Sequence, residues 1–121
     1  MANTFKVVTF AAEPASAGTA YKMYTVAGST TTVVLGLILT NIHSSAVTAE
    51  VELVSDTGSR GGANNVTNGT SFLVKDVNIP AGSSLAVLTG GKVVLETTDY
   101  LNIDCSVADK LSGTLSIMEI T

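Results

Sequence analysis

Charge is what this sequence has least of. Of its 121 residues, six are Lys or Arg and ten are Asp or Glu, so that charged side chains make up 13 % of the chain. Soluble domains usually carry about a quarter. Six scattered cations cannot make the basic stripe that neutralises phosphates and releases counterions, so a nucleic-acid partner is not expected. A net charge of −4 argues equally against adsorption to an anionic membrane.

Other shortages narrow the chemistry. One cysteine, Cys105, cannot close a disulfide within the chain, which suits folding in a reducing cytoplasm. With one histidine and one cysteine, a closed zinc site inside a single chain lacks ligands. No apolar run approaches the roughly 18 residues that span a bilayer. The opening "MANTFKVVTFAAEPA" has neither the apolar core of a signal peptide nor the Arg-rich pattern of a transit peptide.

What is present is β-pattern throughout. "TFKVVTF" (4–10) places Phe5 and Val7 on one phase and, after an expected change of phase, Val8 and Phe10 on it too. "TAYKMYTV" (19–26) reads as a strand, and "TTVVLGLILTNI" (31–42) is β-branched and apolar on both phases. "AVTAEVELVS" (46–55) alternates cleanly, with Val47, Ala49, Val51 and Leu53 opposed to Thr48, Glu50 and Glu52. "DTGSRGGANNVTNGT" (56–70) is the longest turn-rich stretch and the expected contact-making loop. "SFLVKDVNI" (71–79) ends at Pro80, "LAVL" and "KVVLE" around "TGG" predict a hairpin, and "YLNIDCSV" (100–107) and "LSGTLSIMEI" (111–120) finish the pattern. Eight or nine short strands with no helical stripe predict one domain over 1–121, an all-β antiparallel sandwich of jelly-roll type.

Catalytic constellations are missing. His43 in "NIHSS" reads as a turn residue with a local hydrogen bond, and "AGSSLAV" (81–87) is only a loose echo of a nucleophile elbow, in a β context. Cys105 lies on the inward phase of its strand and reads as a small buried hydrophobe, with no cationic neighbour to make it a thiolate. Glu50 and Glu52, and separately Asp99, Asp104 and Asp109, are hard oxygen donors that could hold Ca²⁺ at an interface, but no calcium-loop spacing accompanies them. The glycosylation triplets "NVT" and "NGT" carry no weight without a secretion signal. No catalytic, cofactor-binding or metal residue is assigned, and no cofactor is expected.

The order of segments, by contrast, is distinctive. "IPAGSSLAVLTGGKVVLETTDYLNIDCSVADKLSGTLSIMEIT", preceded by "MANTFK" and "TTVVLGLILTNIHSSAVTAEVEL", resembles small virion structural proteins of tailed bacteriophages, marine ones in particular. The resemblance covers most of the chain, departs from the group in the 56–70 loop and in Cys105, and transfers no functional residue. It implies a non-enzymatic virion component made in the host cytoplasm, first of all a capsid decoration or cement protein. The implied partners are copies of itself (a trimer by class analogy) and the major capsid protein or other virion proteins. A neck or tail component is the alternative within that class. A carbohydrate- or receptor-binding sandwich is the alternative outside it, and would need exposed aromatics from a chain with three Tyr, three Phe and no Trp. Since a charge-poor surface suits permanent packing against neighbours, the expected interface is Val34, Gly36, Leu37 and Ile38 on the apolar strand with Arg60, Asn64 and Asn65 in the loop.

Overall fold

The computed structural model describes residues 2–55, 69–88 and 91–121. It contains nine strands: β1 (Asn3–Glu13), β2 (Tyr21–Thr25), β3 (Thr31–Asn41), β4 (Val47–Ser55), β5 (Gly69–Ile79), β6 (Ser84–Ala86), β7 (Val93–Leu95), β8 (Tyr100–Cys105) and β9 (Leu111–Ile120). The first sheet runs β1-β9-β3-β6, with β7 also pairing with β3, and the second runs β2-β8-β4-β5. All pairings are antiparallel. The two sheets enclose an aliphatic core that includes Leu37, Leu39, Val51, Leu101, Ile103, Leu115 and Ile117. This is the predicted β-sandwich.

The predicted hairpin around "TGG" does not form. β6 pairs with the Ile38–Thr40 end of β3 and β7 with its Thr32–Val34 end. Both run antiparallel to β3, so they run in the same direction, end to end along its edge. Counted as one interrupted strand, they leave eight strands in the two-sheet nesting of a jelly roll. Each half is anchored by an inward residue, Leu85 in β6 and fully buried Leu95 in β7.

β3 resolves its doubly apolar sequence with a bulge. Its register against β9 shifts between Val34 and Gly36. Thr32 and Val34 face the core before the shift, and Leu37, Leu39 and Asn41 face it afterwards. One extra residue thus turns the odd phase inward where the even phase had been. Val33, Leu35 and Ile38 are left on the outside. β1 shows the opposite: its register is unbroken from Asn3 to Phe10 and shifts only before Glu13. The expected change of phase near Val8 is therefore absent, and Phe5 and Val7 point outward while Val8 and Phe10 point in.

Polar keystones close the ends of the sandwich. Asn41, fully buried, donates from Nδ2 to the carbonyls of Ser45 and Ile79 (both 2.9 Å) and accepts from the His43 N–H at 2.7 Å. That bond is the local turn role expected for the segment holding His43. Asp99 caps the other end, where its carboxylate accepts from the Glu96 N–H and its carbonyl accepts from the Val26 N–H.

Candidate assembly surface

The outward face of the first sheet follows directly from the registers. Phe5 lies opposite Met118, Met118 opposite Val33, and Val33 opposite Val94. These four side chains form an apolar row that crosses β1, β9, β3 and β7 in turn. Phe5 is 72 % exposed and Val94 57 %, while Val7, Leu35 and Ile38 extend the patch on the same face. Between them stand Thr9, Thr114, Ser116 and Thr40. No residue of these strands on this face is charged; Lys92 and Glu96 flank β7 just outside its range.

The charges of the regular parts of β1 and β9 go to the other side. Lys6 and Glu119 fall on the inward register and pair at 2.7 Å at the open end of the sandwich. There the Tyr24 hydroxyl, from the second sheet, donates to Glu119 Oε2 at 2.5 Å and shares a hydrogen bond with Thr32 Oγ1 at 2.8 Å. Burial, reinforced by the carboxylate beside it, pushes the Tyr24 hydroxyl up to about 12. The Lys6 ammonium, and then the Tyr24 hydroxyl, hold Glu119 below the usual carboxylate range. The cluster ties β1, β2, β3 and β9 together and leaves the outer face neutral.

The second sheet is the charged one. Its outward side carries Lys22, Glu50 and Glu52, joined by Lys75 on the edge strand β5. Lys75 pairs with Glu50 at 3.1 Å and sits 4.6 Å from the centre of the Phe72 ring, while Lys22 lies 4.1 Å over Tyr100. A depression of about 220 Å³ on this side gathers Glu50, Asp76 and Asp104. Asp104 Oδ1 is engaged by the N–H groups of Gly18 and Cys105, and Glu50 and Asp76 share Lys75. Among the described residues no group of three or more His, Cys, Asp or Glu is placed to hold a metal ion.

The residues predicted from sequence divide sharply. Val34 and Leu37 are 1 % exposed and belong to the core, so they offer nothing to a partner. Gly36 is half-buried at the bulge, with open space where a Cβ would stand, and Ile38 is 48 % exposed on the outer face. Arg60, Asn64 and Asn65 lie outside the described residues. Cys105 is buried, on the inward phase expected for it. What sequence reading missed was Phe5, Val7, Met118 and Val94. Plain alternation in "FKV" carries the signal for the first two, and the assumed change of phase hid it.

Each of the three tyrosines is engaged with a neighbour. Tyr24 is tied into the Glu119 cluster, Tyr100 lies beneath Lys22, and Tyr21 packs edge-on against Phe10 at 5.3 Å. Phe5 and Phe72 are the exposed aromatics among the described residues, and they lie on different sheets.

No family model matches the chain, and no curated protein matches it. A solved structure that does match is from the Bacillus endospore appendages, described as a family of disulfide-linked pili. It is 16 % identical, with a TM-score of 0.49, and the match covers 99 % of this chain and 87 % of the other. The expectation of a phage capsid decoration or cement protein, and of a phage neck or tail component, is corrected here: the match is a bacterial spore appendage, and nothing found ties the chain to a virion.

Proposed function

We propose that this chain is a non-enzymatic structural subunit that associates with copies of itself through the outer face of its first sheet. The observation that carries this reading is the neutral apolar row Phe5–Met118–Val33–Val94 with Ile38 beside it. Solvent gains nothing from such a face, and each apolar square ångström removed from water is worth about 25 cal/mol. Contiguous exposed apolar patches on small domains mark interaction sites. Copies that each carry net charge −4 repel one another, and the face without charges is where they approach at least cost.

The test is light scattering on the purified chain and on Ile38→Lys and Val94→Lys. Both substitutions sit on the exposed face, so both variants should remain folded by circular dichroism while their association weakens. A wild-type chain that stays at its monomer mass of 12.3 kDa at every concentration defeats the proposal. So do two lysine variants that associate as the wild type does.

A further inference from the structure

The first sheet also has an open side at β1. The edges of the described strands differ in how they are protected. β2 has five residues and a register shift, and β6 and β7 have three residues each. β5 is long but is bulged twice against β4, and Asp76 in it takes a left-handed φ of 49°. Charge, bulges and shortness are the devices that blunt sheet edges. β1 has eight consecutive residues, Asn3 to Phe10, in unbroken register with β9, and among the described residues it pairs with no other strand.

Which groups β1 leaves free follows from its ladder. Ala2 and Thr121 exchange both backbone hydrogen bonds. In an antiparallel ladder, bonded and non-bonded pairs alternate. Thr4, Lys6, Val8 and Phe10 therefore bond to β9, and the N–H and C=O of Asn3, Phe5, Val7 and Thr9 face away from it. Those same residues carry the outward side chains, including Phe5 and Val7, which are 72 % and 62 % exposed. The free backbone groups and the apolar side chains are thus on the same residues.

We infer that β1 of a second copy of this chain pairs antiparallel with this edge, centred on Val7 opposite Val7 of the other copy. An antiparallel strand is complementary to itself, so one surface supplies both halves of a two-fold contact. Centring on Val7 sets Phe5 against Thr9 and Lys6 against Val8 of the other copy, and it uses Thr4 to Phe10, seven of the eight regular residues of β1. Centring on Lys6 would place two ammonium groups opposite each other, which is destabilising. The pairing joins two first sheets into one and makes their neutral outer faces continuous. It rests on the reading that the chain self-associates and specifies one contact by which it does so.

The test compares Thr9→Pro with Thr9→Ala by sedimentation equilibrium. The Thr9 N–H faces away from β9, so proline there removes a donor only from the free edge, a position strands accept. Thr9→Pro should weaken pairing by about tenfold or more, because two symmetry-related hydrogen bonds are lost, and Thr9→Ala should not. Equal association of Thr9→Pro and the wild type overturns the edge pairing while leaving face-mediated association standing. A wild type that is monomeric throughout overturns both. If Thr9→Pro fails to fold, amide exchange of the wild type decides. The N–H groups of Phe5, Val7 and Thr9 should become protected as concentration rises, and their continued rapid exchange in an associated sample rejects the inference.

Discussion

Tyr24 supplies a polar link between the two sheets. Its hydroxyl spans from β2 to Glu119 on β9 and Thr32 on β3. Because its folded pKa is raised to about 12, above an ordinary value near 10, its contribution to stability is complete below pH 10. That contribution is lost as pH rises from 10 towards 12, where the unfolded chain ionises and the folded one resists. Thermal melts of Tyr24→Phe should therefore show less alkaline loss across this window than the wild type, at a cost near neutrality of about 1 kcal/mol. Glu119 works in the other direction: its folded pKa is lowered, so its contribution is present above the usual carboxylate range and lost on acidification. Asn41 is a harsher case. Asn41→Ala strands the buried Ile79 carbonyl, the part-buried Ser45 carbonyl and the His43 N–H, and chemical denaturation should show a loss of about 2–4 kcal/mol. Gly113 makes room for the Phe10 ring, which would come within 2.4 Å of an added Cβ. Gly113→Ala should displace that buried ring and cost about 1–3 kcal/mol in the same assay.

At the scale of elements, β3 explains why part of the fold was legible in the sequence and part was not. Clean alternation in "VTAEVELV" correctly placed Val47, Ala49 and Val51 inward, since a strand with one polar face admits a single register. "TTVVLGLILTN" contains no polar face and so no phase, and the bulge that switches its inward side at Leu35 and Gly36 leaves no trace in hydrophobicity. Sequence alone therefore does not separate Val34 and Leu37, which are core, from Ile38, which is strongly exposed. The "TGG" segment misled for a related reason: Gly-rich turns mark a break in a strand as readily as a reversal of it. A paired substitution tests the bulge. Leu37→Lys buries a charge and should unfold the chain, whereas Ile38→Lys should leave its circular dichroism unchanged and its unfolding free energy within about 0.5 kcal/mol of the wild type. Similar unfolding of both would place Ile38 in the core and reject the switch.

Across the whole molecule, the scarcity of charge noted in the sequence turns out to be unevenly shared. The second sheet presents Lys22, Glu50, Glu52 and Lys75, and the first sheet turns Lys6 and Glu119 inward and presents none. Composition alone could register the shortage but could not assign it to a face, because that requires the register of four strands at once. Such a division predicts how association responds to salt. An interface built on ion pairs weakens as ionic strength rises, whereas one between neutral faces of chains that each carry −4 should hold or strengthen as their mutual repulsion is screened. Sedimentation equilibrium of the wild-type chain, over a concentration series at low and high salt, tests this most directly. The expected result is a mass above 12.3 kDa that rises with concentration and does not fall with salt. A constant mass of 12.3 kDa, or association that disappears as salt is added, would contradict it.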